Sequence, residues 1–115
     1  MKKELKDLQI SYEDKIESFL LSINGFKDEY VDVEFKLDFN LQEYFFIKIG
    51  NYTNILLECD KNPYLRLTNN TFDNYDELKE ISKILNILSK NKSILNKLLN
   101  MVKDFYNESA KFLDK

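Results

Sequence analysis

The chain reads as one α+β domain of two layers: an N-terminal helix, a four-stranded antiparallel meander and two C-terminal helices. Three observations predict this order. Apolar residues recur at helical spacing at both ends of the chain, while residues 31–68 switch to a period of two. The alternating runs are separated by turns too short for the crossovers that parallel strands require. The length of 115 residues suits a single domain.

The first helix is expected over about 2–23, where Leu5, Leu8, Tyr12, Ile16, Phe19 and Ile23 draw one stripe at spacings of three and four. Asn24-Gly25 supplies its stop, because glycine accepts the left-handed conformation that ends helices. A strand follows in which Val31, Val33, Phe35, Leu37 and Phe39 alternate with Asp32, Glu34, Lys36 and Asp38. Asn40-Leu41 reads as a turn. The second strand covers about 43–49, with Phe45, Ile47 and Ile49 on one face and Tyr44, Phe46 and Lys48 on the other. Gly50-Asn51 is a tight-turn pair. The third strand, about 53–59, directs Ile55, Leu57 and Cys59 to the core, and Asp60-Lys61-Asn62-Pro63 turns the chain again. A short fourth strand, Tyr64 to Thr68, buries Leu65 and Leu67.

Residues 69–74 read as polar loop. Asn74 and Glu77 have the spacing of a capping box. A second helix then runs to about Ser89 on Leu78, Ile81, Ile84, Leu85 and Leu88, and a third runs over about 92–113 on Leu95, Leu98, Leu99, Val102, Phe105, Tyr106 and Phe112. Asn91 interrupts or caps between them, and so short a link makes the two helices neighbours.

Composition excludes several chemistries. Nine Phe, seven Tyr, two Gly and one Pro describe a packed domain and not a disordered tail. No histidine is present, so no imidazole base and no Ser–His or Cys–His pair exists. The two glycines, Gly25 and Gly50, make no phosphate-binding loop. Cys59 is the single cysteine, which rules out an internal disulfide and a multi-cysteine metal site. Its place on the inward face of the third strand reads as a small core residue. Asp73-Asn74-Tyr75-Asp76-Glu77 has a calcium loop's acids without the glycine and spaced glutamate such a loop needs. No enzyme activity, catalytic residue, metal site or cofactor is therefore expected. No run is long enough to span a bilayer, and the N-terminus lacks a signal peptide's apolar core. The expected compartment is the cytoplasm, the host's if the gene is a phage's. Four N-x-[ST] triplets, at Asn51, Asn69, Asn91 and Asn107, are chance products of an Asn-rich chain.

Net charge is −3, but residues 28–60 carry eight acids and two bases, while 61–115 carry ten bases and seven acids. Lys90, Lys92, Lys97 and Lys103 fall in a window without acids, which reads as a solvated helix face or as a contact for phosphates or an acidic partner. With one arginine, Arg66, sequence-specific DNA recognition is not expected.

The second face of the sheet carries Asp32, Glu34, Lys36, Asp38, Tyr44, Phe46, Lys48, Asn54, Leu56, Glu58, Tyr64, Arg66 and Thr68. A helix of the same chain, a second copy or a foreign protein must account for its apolar members. Aromatics and Arg dominate protein hot spots. The candidate partner-binding residues are therefore Asp32, Glu34, Asp38, Tyr44, Phe46, Tyr64 and Arg66. With Asp28 and Glu29, the acids could attract the basic groove of a nucleic-acid-handling enzyme.

The leading expectation is a small protein-binding inhibitor that blocks a larger partner. Its size, charge distribution, missing catalytic groups and A/T-rich coding bias are compatible with phage and mobile-element inhibitors such as anti-CRISPR proteins. An immunity protein or secretion-type chaperone for a co-encoded protein is the second expectation. A nucleic-acid accessory protein using the Lys90–Lys103 stretch is the third.

Overall fold

The computed structural model describes residues 3–68 and 72–113. Lys2, the expected start of the first helix, and residues 69–71 of the expected polar loop lie outside them. The elements follow the expected order: α1 (Lys3–Leu21), β1 (Val31–Leu37), β2 (Glu43–Ile49), β3 (Thr53–Glu58), β4 (Tyr64–Leu67), α2 (Tyr75–Ser89) and α3 (Lys92–Leu113). The strands form one antiparallel sheet in the order β1-β2-β3-β4. No helix is long and apolar enough to cross a membrane among the described residues.

Strand alternation divides the sheet into two faces. The odd-numbered face, with Val33, Phe45, Ile47, Ile55, Leu57 and Cys59, forms the core with all three helices. Tyr12, Ile16 and Leu20 come from α1, Ile84 and Leu88 from α2, and Leu98, Val102 and Phe105 from α3. At its centre Phe105 meets Phe45 at 5.1 Å between ring centroids, Phe35 at 5.4 Å and Tyr12 at 5.5 Å. The contacts with Tyr12 and Phe45 are edge-to-face, the geometry that the ring quadrupole favours.

The deepest line of α1 is Gln9, Tyr12, Ile16 and Leu20, rotated from the expected stripe so that Phe19 and Ile23 are only half-buried. The reason is position. The helix packs against both β1 and α3, and its buried side follows that angle. Glu13, outside the stripe, accepts a hydrogen bond from the Phe35 backbone N–H at 2.7 Å and so blunts the outer edge of β1.

After α1 the chain turns through Gly25, at φ +109°, where an added Cβ would lie 2.9 Å from Ile87 Cδ1. Phe26, which carries no periodic signal, is fully buried in the core. The end of β1 also departs from the alternation: Leu37 is 48% exposed and Phe39 is fully exposed. Here Asp38 closes the hairpin, its Oδ1 accepting from the N–H groups of Asn40 (2.8 Å) and Gln42 (2.9 Å). That Asx-type turn ends β1 at Leu37 and carries Phe39 and Leu41 into solvent.

The β2–β3 hairpin is tied to α2 by one carboxylate. Glu80 accepts from the N–H groups of Asn51 and Tyr52, each at 2.8 Å, and from the buried Thr53 hydroxyl at 3.0 Å. Gly50, at φ +70°, leaves room for it, since a Cβ there would collide with the Glu80 carboxylate. At the start of α2, Asn74 Oδ1 accepts from the N–H groups of Asp76 and Glu77, as the capping signal predicts. Asn91 Oδ1 accepts from Ser93 N–H at 3.0 Å at the start of α3.

Replacing Glu80 by Ala should cost about 1–3 kcal/mol, because three donors lose an ionised acceptor. Urea unfolding measures this, and a variant as stable as the parent would show that water replaces the carboxylate without loss. A second expectation concerns alkaline pH. Burial, the hydrogen bond to Glu108 and the charges of Glu108 and Asp104 push the Tyr12 phenol from 10.0 up to about 12. The folded chain then holds this proton where the unfolded chain releases it, so the contribution is full below about pH 10 and is lost as pH rises toward 12. Tyr12→Phe should be less stable than the parent at pH 8, with a gap that narrows above pH 10; a constant gap would contradict the assignment.

Candidate functional site

Among the described residues the even-numbered face of the sheet has no helix over it, because the three helices bury their apolar stripes on the odd-numbered face. Strand register arranges it in rows. One row runs Glu34, Phe46, Leu56, Arg66 and the next Lys36, Tyr44, Glu58, Tyr64. Asp32 stands opposite Lys48, and Lys48 opposite Asn54. The apolar centre is Tyr44, Phe46 and Leu56, with the half-exposed Tyr64 beside it. Leu56 is only 6% exposed yet stands outside the main core, between the cross-strand side chains of Phe46 and Arg66.

Two ion pairs lie on this face. Arg66 bonds Glu58 Oε2 through Nη2 at 2.7 Å and Nε at 3.1 Å. Glu58 is 2% exposed, so its carboxylate lies beneath the guanidinium. The hydrogen bond and charge of Glu58 raise the Arg66 pKa and keep that cation fixed. Lys36 reaches Glu34 at 3.8 Å and lies 4.7 Å from the Phe46 ring centroid, a cation–π distance.

The expected site residues do not all come together. Asp32, Glu34, Tyr44, Phe46, Tyr64 and Arg66 share the open face. Asp38 lies just past the end of β1, with its Oδ1 engaged in the hairpin turn, and its charge still helps to raise the Arg66 pKa. The eight acids of residues 28–60 form no common surface. Glu29 pairs with Lys83 of α2 at 3.1 Å, Asp60 accepts from Lys61 N–H, and Glu58 is buried under Arg66. Glu43 is half-buried, and burial raises its carboxyl pKa. On the open face itself Asp32, Glu34 and Glu58 are matched by Lys36, Lys48 and Arg66. The surface is a charge mosaic around an aromatic centre, not an acidic plate.

Leu56 and Glu58 belong to this centre and were not among the expected site residues. Their signal was present in the alternation, which sets them beside Tyr44 and Phe46; their burial required the register. The lysine stretch is divided as well. Lys97 turns toward the Phe19 ring of α1 at 5.9 Å, while Lys103 lines a recess with Lys61 and Pro63.

The single thiol, Cys59, is withdrawn from the surface. Burial, reinforced by the charges of Glu43 and Glu58, pushes the Cys59 thiol well above its ordinary range, so it stays protonated. Among the described residues no group of three or more acidic or cysteine side chains could hold a metal ion.

Arg66→Ala should cost about 1–3 kcal/mol, the scale of a buried group left unsatisfied, because the Arg66 side of the pair is half exposed and water partly replaces it. Adding Glu58→Gln should recover most of the loss. Denaturant unfolding of the single and double variants tests this, and equal losses in both would refute the pairing. No family model, curated protein or solved structure matches this chain.

Proposed function

We propose that the protein is a small non-enzymatic inhibitor that docks on a larger protein through the open face of its sheet. The phage or mobile-element anti-defence class, of which anti-CRISPR proteins are an example, is the biological setting that its size and composition favour. One observation carries the reading: an apolar centre of Tyr44, Phe46 and Leu56, rimmed by Tyr64 and Arg66, with no helix over it among the described residues. Such a centre with a charged rim has the anatomy of a protein interface. The rim is charge-balanced, so affinity rests on the aromatic centre, and the charges govern register and the rate of encounter.

The test compares affinity capture by the parent, Phe46→Asp and Glu34→Lys from nuclease-treated lysates of low-GC bacteria, with folding checked by circular dichroism. One dominant protein should be retained by the parent. Phe46→Asp should weaken that complex at least about thirtyfold, the scale of a hot spot. Glu34→Lys should change it less than about tenfold and mainly through the association rate. Asp38 is unsuitable for charge reversal because it holds the hairpin. Full binding by Phe46→Asp would remove the open face from the interface.

A further inference from the structure

The two outer edges of the sheet are treated differently. On β1, α1 packs against the strand and its Glu13 occupies the Phe35 N–H, while the outward N–H groups of Val33 and Leu37 meet no partner among the described residues. On β4, the Thr68 N–H bonds the Asn54 oxygen at 3.4 Å, which places Arg66 and Tyr64 in the same bonded parity with β3. Leu65 and Leu67 therefore turn their N–H and C=O groups outward, where no partner meets them among the described residues. Beside this edge lies a groove of about 730 Å³ between β4, α2 and α3, lined by Tyr64, Leu65, Leu85, Leu88, Leu95 and Leu99. That volume is within the usual range of ligand pockets, about 300–1,000 Å³.

We infer that β4 receives an extended, acid-ended segment of a partner protein by strand addition, with the segment's alternate apolar side chains seated in the groove. Backbone bonds to Leu65 and Leu67 supply the pairing, and the period of two delivers every second side chain to Leu85, Leu95 and Leu99. Charge decides the occupant. Past Leu99 the groove continues into the recess at Lys61 and Lys103, and no acidic side chain lines either part. Lys61 and Lys103 thus stand as two cations at the end of the groove. A foreign segment ending in carboxylates complements them. The site meets the aromatic face only at Tyr64 and does not depend on that reading.

The experiment is an amide NMR titration of the full chain with the N-acetylated peptide Thr-Val-Thr-Val-Glu-Asp. Its counterparts end in Lys-Lys or carry N-methyl groups on alternate amides. The acid-ended peptide should shift the Leu65 and Leu67 amides and slow their hydrogen exchange at least about fivefold at saturation. It should bind about tenfold more tightly than the lysine-ended peptide. Combining Lys61→Glu with Lys103→Glu should invert that preference. Equal binding by the N-methylated peptide would overturn strand addition. Shifts confined to Phe46 and Leu56, or no shift at millimolar peptide, would overturn the site. Concentration-dependent shifts of Leu65 without peptide would assign the edge to a second copy instead.

Discussion

The packing of Phe105 against Phe45 and Phe35 organises the molecule. These rings bring the third helix onto the centre of the sheet, and Tyr12 brings the first helix onto the same cluster from the side. Burial of large rings is the strongest term a domain of this size commands, at about 1.5–3 kcal/mol for a fully buried Phe. Once α3 lies on the odd-numbered face, α2 follows through its short link and α1 fills the space beside β1. Three helices on one side leave a four-stranded sheet with its other side uncovered.

That uncovered side has to coexist with water. Alternation alone would leave Phe46 and Leu56 as a patch, and the cross-strand neighbours reduce it. Lys36 lies over the Phe46 ring, and Arg66 reaches across to Glu58. The result keeps apolar surface available for contact while breaking up one continuous apolar patch.

Carboxylates do much of the local construction. Glu13 caps an edge strand, Asp38 shapes one hairpin, Glu80 holds another to α2, and Glu58 anchors Arg66. Asp38 and Glu80 meet the donors of tight turns, whereas Glu58 is itself the buried charge and Arg66 the half-exposed partner that neutralises it. Within the acid-rich middle of the chain, Asp38, Glu58 and Glu29 have separate structural duties. That middle does not make a single electrostatic surface, even though the linear charge count suggests one.

Period, turn chemistry and capping determined the element order from the sequence alone, because each depends on residues within a few positions of one another. The helical stripes, the alternation from Val31 to Leu67 and the Asn74 cap are of this kind. The same alternation identified Tyr44, Phe46, Tyr64 and Arg66 as one face. What tertiary structure alone decided depends on distance in sequence. The side of the sheet taken by α1, the burial of Phe26 and Glu58, and the use of Glu80 by a hairpin 27 to 29 residues away follow from packing and register. No local pattern encodes them, because the partner that gives each residue its role lies on another element.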